Sequence, residues 1–307
     1  MATISVCMIV KNEEERLARC LGCLKDIADE IVVVDTGSDD GTKDIARQFT
    51  DRVYDFKWTG DFSKARNHAF SFATCDYIYS ADADEFIDEE NRKAFKTLKE
   101  LILPEIEIVQ MHYVNPADRN MAYNDLDELR PKLFKRLRTF TWIDPIHETV
   151  RTLPVVFDSD IRIIHEPHEN HAGRDFKAFL KVLSENDGQM SDRLFSMYAK
   201  ELYFSGGAKD FAAARPFFEK RAAVSYGAEY LEALCVTVKA AADSGEDSDI
   251  MEFEKDYADY PVRAAEIDHI LSQVFSRNGN KEKAEKYKAL AGTDENYVRL
   301  DFGSVKN

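Results

Sequence analysis

The chain has 307 residues, 44% of them apolar, which suits one large domain or two ordinary ones with true cores and excludes a disordered polymer. Its 41 Lys and Arg stand against 57 Asp and Glu, a net charge of −16, so non-specific binding to nucleic acid or to an anionic membrane surface is excluded. No apolar run approaches the roughly 18 residues of a membrane span, and the first residues lack a leader's basic and small-residue signature. A cytoplasmic protein is expected.

Ile4–Val10 is a continuous apolar run, the mark of a strand buried on both faces of a parallel sheet. Lys11-Asn12 and three glutamates follow, then Leu17, Cys20, Leu21 and Leu24 at helical spacing. Cys20 and Cys23 form a lone C-x-x-C inside that helix, with no second pair to make a zinc site, so they are assigned to the core. Glu30–Asp35 is a second buried strand ending on a carboxylate. Thr36–Thr42 is a turn rich in capping residues that leads into a helix over Lys43–Phe49. Val53–Phe56 is predicted as a short strand, and Asp61 or Ser63 as the cap of a helix running to Ala73.

Tyr77–Tyr79 reads as the next strand, and three carboxylates crowd its end: Asp82, Asp84 and Glu85. Charges packed that closely repel. Either they open the helix Glu89–Leu101, whose first turn favours acids, or they hold a hard divalent cation that bridges carboxylate and phosphate oxygens. Strands alternating with helices at this spacing give a doubly wound sheet, in which ligands lie beyond the carboxyl ends of the strands. Lys11, Asp35, Asp82 and Asp84 all sit at such ends and should converge on one edge. Neither a dinucleotide glycine motif nor a phosphate-loop motif is present.

Glu105–Val114 is predicted as a strand and Asn115–Leu129 as a polar loop. Arg130–Arg138 alternates basic with apolar residues, which suits either a solvated strand face or phosphate binding. Val155–Phe157 and Ile161–His165 read as two further short strands. From Asp175 to Leu290 the pattern is helical. Arg193–Phe204, a Gly206-Gly207 break and Asp210–Arg221 form a helix–turn–helix pair, which Tyr230–Ala242, Ala264–Ser276 and Lys281–Ala291 could repeat. Ala242–Asp249 is the most turn-like linker.

Ile4–Glu14, Asp29–Thr42, Asp61–Asn67 and Ala81–Glu85, in that order and spacing, resemble family-2 glycosyltransferases of the GT-A fold over roughly the first 170 residues. The tail resembles the tetratricopeptide-like extension of some bacterial members. The resemblance implies a GT-A domain over 1–170, a doubly wound mixed α/β sheet, and an all-α helical-repeat-like domain over 171–307. It implies a nucleotide-sugar donor, most commonly a UDP-hexose, lying over the first strand's end. Val10, Lys11 and Asn12 would then flank the base or ribose, Asp35 would hydrogen-bond the base, and Arg66 would lie beside base and phosphates. Asp82-Ala83-Asp84 matches the D-x-D motif, with Asp82 toward ribose and metal and Asp84 ligating Mn²⁺ or Mg²⁺ across the diphosphate.

The family usually inverts, so a carboxylate should deprotonate the acceptor. Glu148 matches that base, with Asp144 behind it. His165 matches the late histidine that completes the metal shell, and His147 competes for that role or for an acceptor contact. The acceptor would be a glycan, a lipid-linked sugar or a peptide. Two uses of the helical tail stay open, pairing two copies into a homodimer or holding a protein acceptor. Two other functions remain: a nucleotidyltransferase, disfavoured because the loop after the first strand is acidic and lacks glycine, and a helical-repeat binding protein with an inactive transferase domain.

Overall fold

A computed structural model describes residues 1–114, 127–137, 142–143, 149–150, 153–166, 172–260 and 262–291. These fall into two compact units, one reaching Glu166 and the other starting at Ala172.

The first unit is built on an eight-stranded sheet. Its parallel half comprises β1 (Ile4–Val10), β2 (Glu30–Asp35), β3 (Val53–Asp55) and β4 (Tyr77–Ala81), in the order β3-β2-β1-β4. The register sets Val10 opposite Asp35 and Met8 opposite Ala81, so these strands end along a single edge. α1 (Leu17–Leu24) and α4 (Glu89–Leu101) cover one face, where Val6, Met8, Leu21, Tyr79 and Phe95 share a core. α3 (Phe62–Ser71) covers the other, turning Ala69 toward Cys7, Val32, Val34 and Ile78. Small residues at Ala65 and Ala69, both fully buried, let this helix lie close to the strands. The helix predicted over Lys43–Phe49 is shorter and starts earlier, as α2 (Thr42–Ala46).

Beyond β4 the sheet becomes mixed. β7 (Asp127–Lys135) runs antiparallel to β4 and to β6 (Ile108–Val114), and β6 pairs in parallel with β10 (Val156–His165). β5, only Glu85–Phe86, closes the edge against the end of β10. Two expectations change here. Val155–Phe157 and Ile161–His165 fall on one strand, Val156–His165, whose pairing with β6 shifts register between Asp158 and Arg162. The loop predicted to reach Leu129 gives way at Asp127 to β7. That strand tolerates a carboxylate because Asp127 meets His112 at 2.6 Å and Arg162 at 2.7 Å on strands of the same sheet. β8 (Trp142–Ile143) and β9 (Thr149–Val150) pair as a separate antiparallel ribbon.

The second unit is helical: α5 (Ala172–Glu185), α6 (Asp192–Ser205), α7 (Ala208–Ala222), α8 (Gly227–Asp243), α9 (Asp247–Tyr257), α10 (Ala265–Arg277) and α11 (Lys281–Ala291). α7 packs along α8 and α10 along α11. The break between α6 and α7 requires glycine, because a Cβ on Gly206 would lie 2.6 Å from the Leu202 carbonyl oxygen. One core gathers Phe195, Tyr198, Leu202, Phe211 and Phe218, and a second gathers Leu231, Cys235, Leu271, Phe275 and Tyr287. No described helix is long and apolar enough to cross a membrane.

Candidate functional site

The parallel strands deliver their carboxyl ends to one edge, and the loops there are tied to one another. Val10, buried at the end of β1, accepts hydrogen bonds from the Thr36 amide and hydroxyl at 2.9 and 3.0 Å. Lys11 is exposed just beyond it. Asn12 takes a left-handed conformation, φ 55°, which asparagine tolerates better than most residues. Its amide donates to Ser38 Oγ at 2.9 Å and its Oδ1 accepts from the Asp39 amide at 3.0 Å. Gly37, at φ 108°, makes the turn that this arrangement needs.

Asp35 lies inside that turn, 1% exposed. Its Oδ1 accepts from the amides of Gly37 and Ser38, each at 3.0 Å, and Lys43 Nζ stands 3.6 Å away. Its Oδ2 is buried with no hydrogen-bond partner among the described residues. A buried acceptor left in that state costs about 1–3 kcal/mol.

The acidic stretch follows β4 as a tight turn. The Glu85 amide donates to the Asp82 carbonyl at 3.1 Å, and Cys20 Sγ donates to the same oxygen at 3.2 Å. Ala83 is buried and anchors the turn in the core. Asp82 Oδ1 receives Arg66 Nη2 at 2.7 Å, while Arg66 Nη1 reaches Ser80 Oγ at 3.1 Å. Lys132, from β7, donates to Glu85 Oε1 at 2.7 Å and stands 3.8 Å from Asp82 Oδ2. Burial works to raise the Asp82 carboxyl, but Lys132 and Arg66 outweigh it and hold it below the usual range. Glu85 is buried, and that burial pushes it up to about 7 despite Lys132.

Asp84 is treated differently. Its backbone carbonyl accepts from the Glu166 amide at 3.0 Å, an extension of the β5–β10 pairing that sets His165 opposite Glu85. His165 Nε2 thereby comes to 3.1 Å from Asp84 Oδ2. No Lys or Arg pairs with Asp84 among the described residues. A carboxylate beside an imidazole is a donor set that fits a divalent ion, and the nitrogen suits Mn²⁺ better than Mg²⁺. No group of three His, Cys, Asp or Glu ligands occurs among the described residues. Further ligands would have to be phosphate oxygens, water or residues elsewhere in the chain.

The structure therefore brings together Arg66 with Asp82 and Asp84 with His165, and it sets Val10, Asn12 and Asp35 on the same sheet edge. Asp144, His147 and Glu148 lie outside the described residues. Sequence reasoning missed Lys132 and Glu85 as partners. The basic alternation along Arg130–Arg138 was the one signal for Lys132. Other cations of that run turn elsewhere, Lys135 to the Pro104 carbonyl and Arg136 to that of Cys75.

A family model described as glycosyl transferase family 2 matches residues 5–162. The chain belongs to that family. Its first unit is the GT-A-type mixed sheet, followed by the helical region. It is similar to a TPR repeat-containing protein of Synechococcus elongatus, 49% identical over 85 residues, which cover 28% of this chain and 21% of that protein. It is also similar to the SPbeta prophage-derived glycosyltransferase SunS of Bacillus subtilis, 32% identical over 179 residues, covering 55% of this chain and 41% of SunS. The chain thus spans less than half the length of both relatives. Among solved structures it is similar to glucosyl-3-phosphoglycerate synthase from Mycobacterium tuberculosis in complex with Mn²⁺ and UDP-glucose. That match has 15% identity and a TM-score of 0.43, and covers 60% of this chain and 78% of the other.

Proposed function

We propose that the chain is a metal-dependent, inverting glycosyltransferase that takes a sugar from a nucleoside diphosphate sugar, with a UDP-hexose as donor. The observation that carries this reading is the division of labour along one sheet edge. Asp35 offers a buried, unsatisfied acceptor, Asp82 is clamped by Arg66, and Asp84, beside His165, pairs with no Lys or Arg among the described residues. A uracil presents an N–H donor that suits Asp35 Oδ2. Arg66, half-buried and already on Asp82, suits the ribose and phosphate side of the donor. Asp84 and His165 would hold Mn²⁺ in preference to Mg²⁺. When bound there, the ion would neutralise charge growing on the diphosphate as it leaves.

Glu148, from the segment between β8 and β9, is proposed as the base, with Asp144 as the alternative. Its carboxylate takes the acceptor hydroxyl proton while that oxygen bonds to the anomeric carbon and the bond to the diphosphate breaks. His147 is assigned to an acceptor contact. The acceptor is a glycan, lipid-linked sugar or peptide, and the helical unit supplies a surface for holding it or for pairing two copies. Its relative SunS, itself named a glycosyltransferase, is consistent with this chemistry.

Incubation with Mn²⁺ and a panel of nucleotide sugars tests the reading. Slow release of UDP from one UDP-sugar, lost in Asp84→Ala, is expected. Release of pyrophosphate from a nucleoside triphosphate instead would replace this reading with nucleotidyl transfer.

A further inference from the structure

Lys132 is the most deeply placed cation of the site, 5% exposed on a strand whose neighbouring Pro131 faces outward. Its ammonium lies 5.6 and 5.7 Å from the ring centroids of Tyr79 and Tyr113. The same ammonium reaches between Glu85 at 2.7 Å and Asp82 at 3.8 Å. Glu85 and Asp82 flank Asp84 in sequence, yet the amine touches both of them and does not pair with Asp84.

Three carboxylates in four residues would ordinarily attract a divalent ion without any help from a ligand. A cation seated between Asp82 and Glu85 would lie on top of the carboxylate that Arg66 orients. A tethered ammonium already fills that position here. We infer that Lys132 is a positioning residue that excludes metal from the Asp82–Glu85 gap, so that the ion binds only at Asp84 and His165 and only together with the donor's phosphates. One carboxylate and one imidazole are a weak site for an ion that seeks about six ligands. Diphosphate oxygens complete it, which makes metal and nucleotide bind as a pair. A surface lysine would not have this effect, because solvent would screen its charge and its stem would wander.

The inference rests on the proposed metal-dependent donor binding, and its test separates the two. Mn²⁺ affinity is measured by electron paramagnetic resonance, without nucleotide and with UDP, for the native protein, Lys132→Met and Lys132→Arg. Thermal unfolding confirms that each variant is folded. Lys132→Met keeps an unbranched side chain of similar length and removes the charge. It should bind nucleotide-free Mn²⁺ at least roughly tenfold more tightly, a conservative figure for one unit charge at about 4 Å. The increase in Mn²⁺ affinity on adding UDP should shrink by a similar factor, and Lys132→Arg should restore native behaviour. If Lys132→Met does not fold, Lys132→Gln, which keeps a hydrogen bond to Glu85, carries the same expectation. Native-like nucleotide-free affinity in the folded neutral variant would overturn the inference and leave the transferase reading standing. Absence of any UDP–Mn²⁺ coupling in the native protein would instead overturn that reading, and this inference with it.

Discussion

Asp35→Asn separates recognition of the base from every other contact in the proposed donor site. The native carboxylate is 1% exposed, with Oδ1 held by two amides at 3.0 Å and Oδ2 buried without a partner among the described residues. An asparagine satisfies the two amides only by presenting its carbonyl oxygen to them, which turns its NH₂ toward the position of Oδ2. An acceptor for the uracil N–H thereby becomes a donor facing a donor. A hydrogen bond to a charged group is worth about 1.5–3 kcal/mol. At about 1.36 kcal/mol per factor of ten, UDP binding should weaken roughly 10- to 150-fold. Cytosine carries an acceptor at the equivalent ring nitrogen, so CDP should lose far less, and the UDP/CDP ratio should fall by a similar factor. Calorimetric titration of both nucleotides in the presence of Mn²⁺ measures this. The two amide contacts persist, so the melting temperature should barely move. Unchanged UDP affinity and an unchanged ratio in a folded Asp35→Asn variant would refute the placement of the base.

Three other perturbations have defined outcomes. His165→Ala removes the imidazole 3.1 Å from Asp84; it should weaken UDP binding in Mn²⁺ and leave the residual binding in EDTA unaltered, by calorimetry. Glu148→Gln should retain donor affinity and lower turnover at least about a hundredfold, as loss of a general base does; full activity would move the base to Asp144. Asp61 caps α3, the helix that carries Arg66, through the Lys64 amide at 3.2 Å. The Ser63 hydroxyl above all holds its carboxyl down at about 2; burial opposes it, and that amide and the Lys64 ammonium add to the lowering. A depressed carboxyl stabilises the fold when ionised, so its contribution is complete above the ordinary value near 3.8 and is lost as pH falls toward 2. Asp61→Ala should therefore cost about 0.5–2 kcal/mol at neutral pH, with the gap to the native protein closing between pH 4 and 2 in denaturant melts.

The parallel half of the sheet was legible because its strands are apolar on both faces, so Ile4–Val10 and Glu30–Asp35 stand out as uninterrupted runs with matching ends. The edge on which Asp35 and the acidic turn meet follows from that regularity. The second half was harder to read for physical reasons. β5 is two residues long, too short for any periodicity, yet it brings His165 to a carboxylate 81 positions away in the chain. β10 carries the polar Asp158-Ser159-Asp160 in its middle, where its pairing with β6 shifts register, so its two apolar ends read as separate strands. Lys132 reads as one cation in a basic stretch, and only the pairing of β7 beside β4 puts it against Glu85. Its burial depends on strand order, which local pattern does not encode. In the helical unit, the apolar spacing placed α6, α7, α8, α10 and α11, whereas α9 lies in an acidic segment that masked its Ile250 and Tyr257 anchors.

The most direct test of the central claim is calorimetry of UDP binding to the native chain and to Asp84→Asn, with Mn²⁺ and with EDTA. Native protein should bind UDP tightly only when Mn²⁺ is present, and the asparagine variant should bind equally weakly in both conditions. UDP affinity that is the same with and without Mn²⁺ in the native protein would contradict a diphosphate held through Asp84.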